Sequence, residues 1–299
     1  MSAHTVTVNK TTGSTSAPGG PHAGLIAKIR ARKPVLVMGI LNVTPDSFSD
    51  GGKFFDPLSA ISHARQLIAE GADIIDIGAE STRPYNGMKP VTAEDERQRL
   101  AHVLPAVVAL GVAVSIDTMK ASVADWALNN GAAIANDVWG LQRDPDMARI
   151  VARHGVPVVV MHNREKPDAQ DIMADIDAFL ARSIEIATRA GIARNNIVLD
   201  PGVGFGKTAE QSMMAIARLA ELDHFGLPIL MGASRKRFID AVTPAPPDQR
   251  LGGSLASHLI AAKAGASIIR AHDVAATVQA LKVAAAIAAT AKEQPKGQP

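Results

Sequence analysis

The sequence predicts an α/β protein built as a single (β/α)8 TIM barrel, with its active-site loops at the C-terminal ends of the strands. Three observations carry that expectation. Eight short apolar runs alternate with longer segments of helical periodicity, the units together occupy roughly 260 residues as such a barrel requires, and the unusual polar residues fall just after the runs. An open doubly wound sheet would give a similar local alternation. Closure into a barrel brings the polar residues that follow seven of the runs onto one face, so a single site built from strand ends is the economical reading.

The runs lie at 35–41, 74–77, 113–116, 132–135, 156–161, 197–199, 228–231 and 266–270. Continuous apolar runs of this length suit strands of a parallel sheet buried on both faces. Between them, apolar residues recur at three- and four-residue spacing in 58–70, 94–110, 171–190 and 209–222, the pattern of helices packed on a barrel's outside. A closing helix is expected from about Asp273, with Val274, Val278 and Leu281 on one face. The Pro-rich stretch 242–248 is loop-sized, so no second domain is expected. The barrel domain is assigned to 25–292, and 1–24 (rich in Ser, Thr, Gly and Pro) and 293–299 to disordered tails.

With 47% of its 299 residues hydrophobic, the chain can fill one large core. A net charge of +2 reflects balanced acids and bases, without the basic field that draws in nucleic acid. The absence of cysteine excludes disulfides, thiolate metal sites and a cysteine nucleophile, and fits a cytoplasmic setting. The longest apolar stretches, such as 283–291, fall far short of the roughly 20 residues a membrane-spanning helix needs.

Four groups of residues point to chemistry. Ser234, Arg235 and Lys236 follow the seventh run and Arg270 and His272 the eighth, the loops with which barrels often bind phosphate. Arg235 or Arg237 could instead merely salt-bridge a helix. The segment PGVGFGKT (201–208) lacks the glycine that a nucleotide-binding phosphate loop places five residues before Gly206. It reads as a tight turn, with or without a ligand against it. Asp76, Asp117 and Asp200 sit in or after apolar runs, where a charge needs a partner. Asp117 could also cap the helix that starts near Lys120. Together with Asn136, such carboxylates make an acceptor-rich floor for a flat heterocycle bearing N–H donors. Finally, the polar loops 42–52 and 81–87 follow the first two strands, as mobile lids or ordinary long connections. His162 is expected to be a structural hydrogen-bonding residue, and no spacing marks a tightly held metal. A weakly held magnesium, bound mainly through substrate phosphates, would leave little trace.

These loops resemble a known family. MGILNVTPDSFSDGG (38–52), GAESTRP (78–84), SIDT (115–118), LDPGVGFGKT (199–208), ASRK (233–236) and RAHDV (270–274) resemble the dihydropteroate synthase signatures in order and spacing, over about 34–281. The resemblance implies condensation of a dihydropterin methyl diphosphate with 4-aminobenzoate in folate synthesis. It implies that Thr82, Asp117, Asn136, Asp200 and Lys236 bind the pterin. Asn42, Arg83, Arg270 and His272 would bind the diphosphate, with Asn42 also on Mg2+, and Phe48, Pro84, Phe205 and Ser234 would surround 4-aminobenzoate. Asp50, Arg83 and Lys236 would be catalytic, Asp50 sitting near the reacting methylene. It further implies a homodimer and a sulfonamide target.

Two departures stand out. Tyr85 replaces the family's usual glycine, and the fifth-strand loop reads MHNREKPDAQ (161–170) rather than MHMxGxP. The first bears on the shape of the second lid, and the second is expected to affect a peripheral loop. Rival readings are a corrinoid-linked, pterin-binding methyltransferase barrel, which has no reason to keep the SRK and RAHD segments, and a relative that binds pterin without turnover.

Overall fold

The computed structural model describes residues 22–43, 56–80 and 91–290. Among these the eight expected runs are strands: β1 (Leu36–Asn42), β2 (Ile74–Gly78), β3 (Ala113–Asp117), β4 (Ile134–Asp137), β5 (Val158–Met161), β6 (Ile197–Asp200), β7 (Leu230–Met231) and β8 (Ile268–Ala271). Every adjacent pair is parallel, in the order β6-β5-β4-β3-β2-β1-β8-β7. The sheet closes where Leu199 bridges Ile229 and the Leu199 N–H donates to the Pro228 carbonyl at 2.9 Å. The expected barrel therefore holds, and the open-sheet alternative does not.

The outer layer follows the periodicity, with local exceptions that have physical causes. Helix α1 (Ala23–Ala31) starts two residues before the expected barrel boundary, while 1–21 and 293–299 of the expected tails, and 291–292 of the expected domain, lie outside the described residues. Helix α2 (Pro57–Ala69) opens on Asp56, whose carboxylate accepts from the Leu58 and Ser59 N–H groups, with Pro57 in the first turn where a missing donor is harmless. The expected single helix over 94–110 is two, α3 (Ala93–Ala101) and α4 (Leu104–Val108). Pro105 has no N–H to continue a helix and its ring opposes the preceding turn, so the chain restarts with Pro105 in the first turn of α4.

Next come α5 (Ala121–Asn129), α6 (Met147–His154) and α7 (Ile172–Arg189), the last capped by Asp171. A Thr208–Gln211 capping box starts α8 (Ala209–Ala217), and the rest of that expected helix continues as a 3-10 segment, Leu219–Phe225. Then follow α9 (Arg237–Val242), α10 (Leu251–Lys263) and α11 (Val274–Thr290). Helix α11 packs on the core through Val274, Val278 and Leu281, as its spacing predicts.

Side chains alternate between the faces of a strand, so residues two apart share the barrel interior. The lower interior is apolar: Leu36, Met38, Ile74, Ile134, Val159, Val198, Leu230 and Ile268 form one cluster, closed from below by Ile29 of α1. Two residues further along the same faces stand Asp76, Asn136, Asp200 and Arg270. The other face of each strand meets the helices in a second, larger apolar cluster.

Close approach of helix to strand is clearest at Gly39 in β1. A Cβ there would lie 3.2 Å from Val274 and 3.3 Å from Leu67, tighter than packed carbons tolerate. We expect Gly39→Val to force α2 and α11 outward and to destabilise the fold by about 2 kcal/mol in urea unfolding. An unchanged midpoint would show that these helices yield without penalty.

Candidate active site

The C-terminal mouth of the barrel is organised around one arginine. Arg270 on β8 donates from Nε to Asp76 Oδ2 at 2.6 Å and from Nη2 to Asp117 Oδ2 at 2.9 Å. Strand order explains the convergence: β8, β1, β2 and β3 are neighbours, and Asp76, Asp117 and Arg270 all point inward. Asn136 completes the group by donating to Asp76 Oδ2 at 3.1 Å. Asp76 is fully buried, and Asp76 Oδ1 and Asp117 Oδ1 are buried with no hydrogen-bond partner among the described residues.

Burial, together with the negative charge of Asp76, pushes the Asp117 carboxyl up to about 7 against the pull of Arg270. The capping alternative for Asp117 does not apply, because Lys120 occupies the N-cap of α5 and the Ala121 N–H in its first turn donates to Asp144 Oδ2.

Asp200 and Lys236 form the adjoining wall. The Asp200 carboxylate accepts from the Gly202 N–H at 2.7 Å; burial raises its pKa and Lys236 opposes that. A Cβ on Gly232 would lie within 4.0 Å of Asp200 Oδ2, Lys236 Nζ and Arg270 Cδ, so the three converge on one point of the mouth. Lys236 Nζ also donates to the Val203 carbonyl and sits 4.5 Å from the centroid of the Phe205 ring, a cation–π geometry.

The loops after β7 and β8 meet at Ser234, whose Oγ accepts from the His272 N–H at 3.1 Å and lies 3.0 Å from His272 Nδ1. Arg235 is not among the anion donors. It is held at φ +58°, and its guanidinium makes a two-pronged pair with Asp273 at 3.0 and 2.5 Å, so the structural salt-bridge alternative describes it. Asn42 stands exposed at the end of β1 and offers one neutral oxygen. Among the described residues no group of three or more His, Asp or Glu is arranged to hold a metal. The Asn42 amide oxygen is a donor that suits a magnesium held mainly by substrate oxygens. Phe48, Asp50, Thr82, Arg83 and Pro84 lie outside the described residues, as does Tyr85.

One expectation needs correction. The loop after β5 is not peripheral, because the β6–α8 turn lies directly on it: a Cβ on Gly202 would come within 1.8 Å of the His162 carbonyl oxygen, and one on Gly206 within 2.2 Å of that of Arg164. Both glycines have positive φ, which L side chains resist.

Beneath the turn, Lys207 Nζ lies 2.6 Å from His162 Nδ1 and donates to the Gly202 and Phe205 carbonyls. Burial lowers Lys207 to about 7 and, with Lys207 alongside, His162 to about 4. His162 is thus the structural hydrogen-bonding residue that was expected. Sequence reading missed two things here. The resemblance assigns Asp76 no ligand, although its two-residue offset from Ile74 marks it as inward. Lys207 was passed over within a glycine pattern, and no spacing signals its partners.

A closed parallel barrel with a buried acceptor floor, and with donor loops after its last two strands, defines an enzyme for an anionic ester of a flat, donor-rich heterocycle. The family model described as pterin binding enzyme matches residues 38–272. The dihydropteroate synthase of Bacillus subtilis is 46% identical over 244 residues, 81% of this chain and 85% of that protein. The Clostridium difficile dihydropteroate synthase, solved in the presence of pteroic acid, has a TM-score of 0.82 at 44% identity, covering 85% of this chain and 97% of that one. The Xanthomonas albilineans enzyme, solved with 4-aminobenzoic acid, also gives 0.82 at 44% identity, covering 86% and 94%. The chain belongs to the dihydropteroate synthases of the pterin-binding enzyme family.

The Arg270 triad carries a pH signature. Asp117 has its proton held more tightly folded than unfolded, so its contribution to stability is present below the ordinary carboxylate value and is lost as pH rises through about 7. Without the guanidinium the Asp117 carboxyl is held protonated to still higher pH, so above about 7 the variant forgoes an ionisation that the intact triad supports. Arg270→Met should therefore lose about 3 kcal/mol of stability at pH 8 and distinctly less at pH 5.5. A loss independent of pH, in chemical denaturation at both values, would contradict this account of the triad.

Proposed function

We infer that this protein is a transferase that condenses (7,8-dihydropterin-6-yl)methyl diphosphate with 4-aminobenzoate, giving 7,8-dihydropteroate and diphosphate in folate synthesis. The observation that carries the reading is the buried floor of Asp76, Asp117 and Asn136 under Arg270, in a chain 46% identical to a dihydropteroate synthase.

The assignment of roles follows from the donors and acceptors each position offers. Asp117, Asn136 and Asp200 take the amino-pyrimidinone edge of the pterin, for which the unpartnered Asp117 Oδ1 is a ready acceptor. Lys236 donates to a ring oxygen or nitrogen. Arg270 keeps its Nη1 without a hydrogen-bond partner among the described residues, which suits it to a diphosphate oxygen, alongside His272 and Asn42. Phe205 and Ser234 line the 4-aminobenzoate subsite; Phe48, Asp50, Thr82, Arg83 and Pro84 act from the two connections outside the described residues. Magnesium, with Asn42 as a ligand, would neutralise charge on the departing diphosphate when bound.

In the reaction the methylene C–O bond breaks, and the electron pair leaves with the diphosphate, stabilised by Arg270 and His272. The arylamine nitrogen bonds to the methylene carbon and loses one proton. A neutral arylamine meeting a cationic carbon needs little help from a base, so positioning does much of the work.

Exposed Ile260 on α10 and Val283 and Ile287 on α11 support a homodimer through these helices. The absence of cysteine supports a cytoplasmic location. Among the described residues no helix is long and apolar enough to cross a membrane. Sulfonamides would compete at the 4-aminobenzoate subsite.

The test is product formation. With the dihydropterin methyl diphosphate, magnesium and 4-aminobenzoate, mass spectrometry should detect dihydropteroate, and omission of either organic substrate should abolish it. Pterin binding without product would replace this reading with that of a non-catalytic relative. Asp117→Asn, which swaps an acceptor oxygen for a donor, should weaken calorimetric pterin binding by about 100-fold. Unchanged affinity would remove Asp117 from the floor.

A further inference from the structure

The turn that carries Phe205 is held from below by a chain of side chains running away from the site. Lys207 Nζ has three acceptors in reach: His162 Nδ1 at 2.6 Å, the Gly202 carbonyl at 2.9 Å and the Phe205 carbonyl at 3.1 Å. An ammonium has three N–H donors, so the set is complete. Donation to Nδ1 puts the imidazole proton on Nε2, which lies 2.8 Å from Asp175 Oδ2, and Asp175 Oδ1 accepts from Arg164 Nη1 at 2.5 Å. The His162 ring is braced edge-on against Phe179, 5.0 Å between centroids, and the His162 N–H donates to the Asp200 carbonyl at 2.9 Å.

We propose that Lys207 is a positioning residue for the arylamine: through the Phe205 carbonyl it fixes the Phe205 ring against Lys236, and the loop after β5 is the platform that fixes Lys207. The proposal rests on the assignment of Phe205 to the 4-aminobenzoate subsite. Three features support it. Two of the turn's carbonyls, those of Gly202 and Phe205, bind Lys207 rather than a neighbouring strand, so that ammonium ties the Phe205 end of the turn to its start. Its glycines at 202 and 206 leave no room between turn and loop, so motion of the loop passes directly to the turn. The floor of Asp76, Asp117 and Asn136 under Arg270, by contrast, sits on the strands and, among the described residues, takes no hydrogen bond from this chain of side chains or from the turn, which reaches the adjoining wall through the Gly202 N–H on Asp200 and the Val203 carbonyl on Lys236.

The two halves of the site should therefore separate under mutation. In Lys207→Met, which keeps the length and removes all three donors, the KM for 4-aminobenzoate should rise about tenfold while the calorimetric dissociation constant for the dihydropterin methyl diphosphate stays within about twofold. Equal weakening of both substrates, or no change in either, overturns the proposal. Should Lys207→Met not fold, Asp175→Asn at the half-exposed end of the chain carries the test, with the same selective rise expected at about threefold and an unselective one counting against. Phe205→Leu, measured alongside, separates the two claims. A raised 4-aminobenzoate KM there with none in Lys207→Met overturns the positioning role alone, whereas no change in Phe205→Leu removes the subsite assignment and the proposal with it.

Discussion

Everything at the mouth of this barrel depends on Arg270 standing between Asp76 and Asp117. Two carboxylates buried inside a parallel barrel call for a cation between them, since the solvation each gives up is large. The guanidinium is suited to the task because its planar fork reaches both acids at once, at 2.6 and 2.9 Å, and cannot lose its proton. With the acids held apart in this way, each keeps one buried oxygen free of any partner among the described residues. A site that must grip N–H donors is built from that surplus of acceptors.

The triad in turn depends on what lies beneath it. Asp76 and Arg270 project from the same strand faces as Ile74 and Ile268, one interior layer lower, while Asp117 stands above Ser115, and the apolar layer is sealed by Ile29 of α1. A close-packed apolar floor keeps the charged layer from sinking or collecting water from below. It also sets the depth at which polar residues become useful, so the boundary between core and chemistry is a step of two residues along β2, β4, β6 and β8.

The strands and the polar strand ends were legible because they depend on local pattern: each apolar run is buried on both faces, and each strand lies within two residues of its run. Partnership was not legible. That Arg270 meets Asp76 and Asp117 follows from β8 closing beside β1, a contact across 194 residues in one case and 153 in the other. Arg235 stands one residue from Lys236 yet is turned to Asp273 by a left-handed backbone that no residue type announces. The break between α3 and α4 was signalled by Pro105, but the apolar spacing on either side runs through it and outweighed the signal. The loop after β5 looked peripheral because its residues are polar and varied. Its importance comes from carbonyl groups that glycines in another segment approach, and backbone atoms leave no mark on side-chain pattern.

These two kinds of support have different consequences. The floor is fixed by barrel closure, so any change that leaves the strands in register leaves it intact. The Phe205 turn rests in addition on an ammonium and a loop, with Lys207 satisfied by Gly202, Phe205 and His162. A departure such as Asn163–Arg164 in that loop is then tolerable for a stated reason. Arg164 spends its guanidinium on Asp175 and Asp168 and contributes its backbone oxygen to the packing of Gly206, so the platform survives the change of side chains. On the proposal made for Lys207, variation in this loop would act on the Phe205 turn and leave Asp76, Asp117 and Asn136 on their strands.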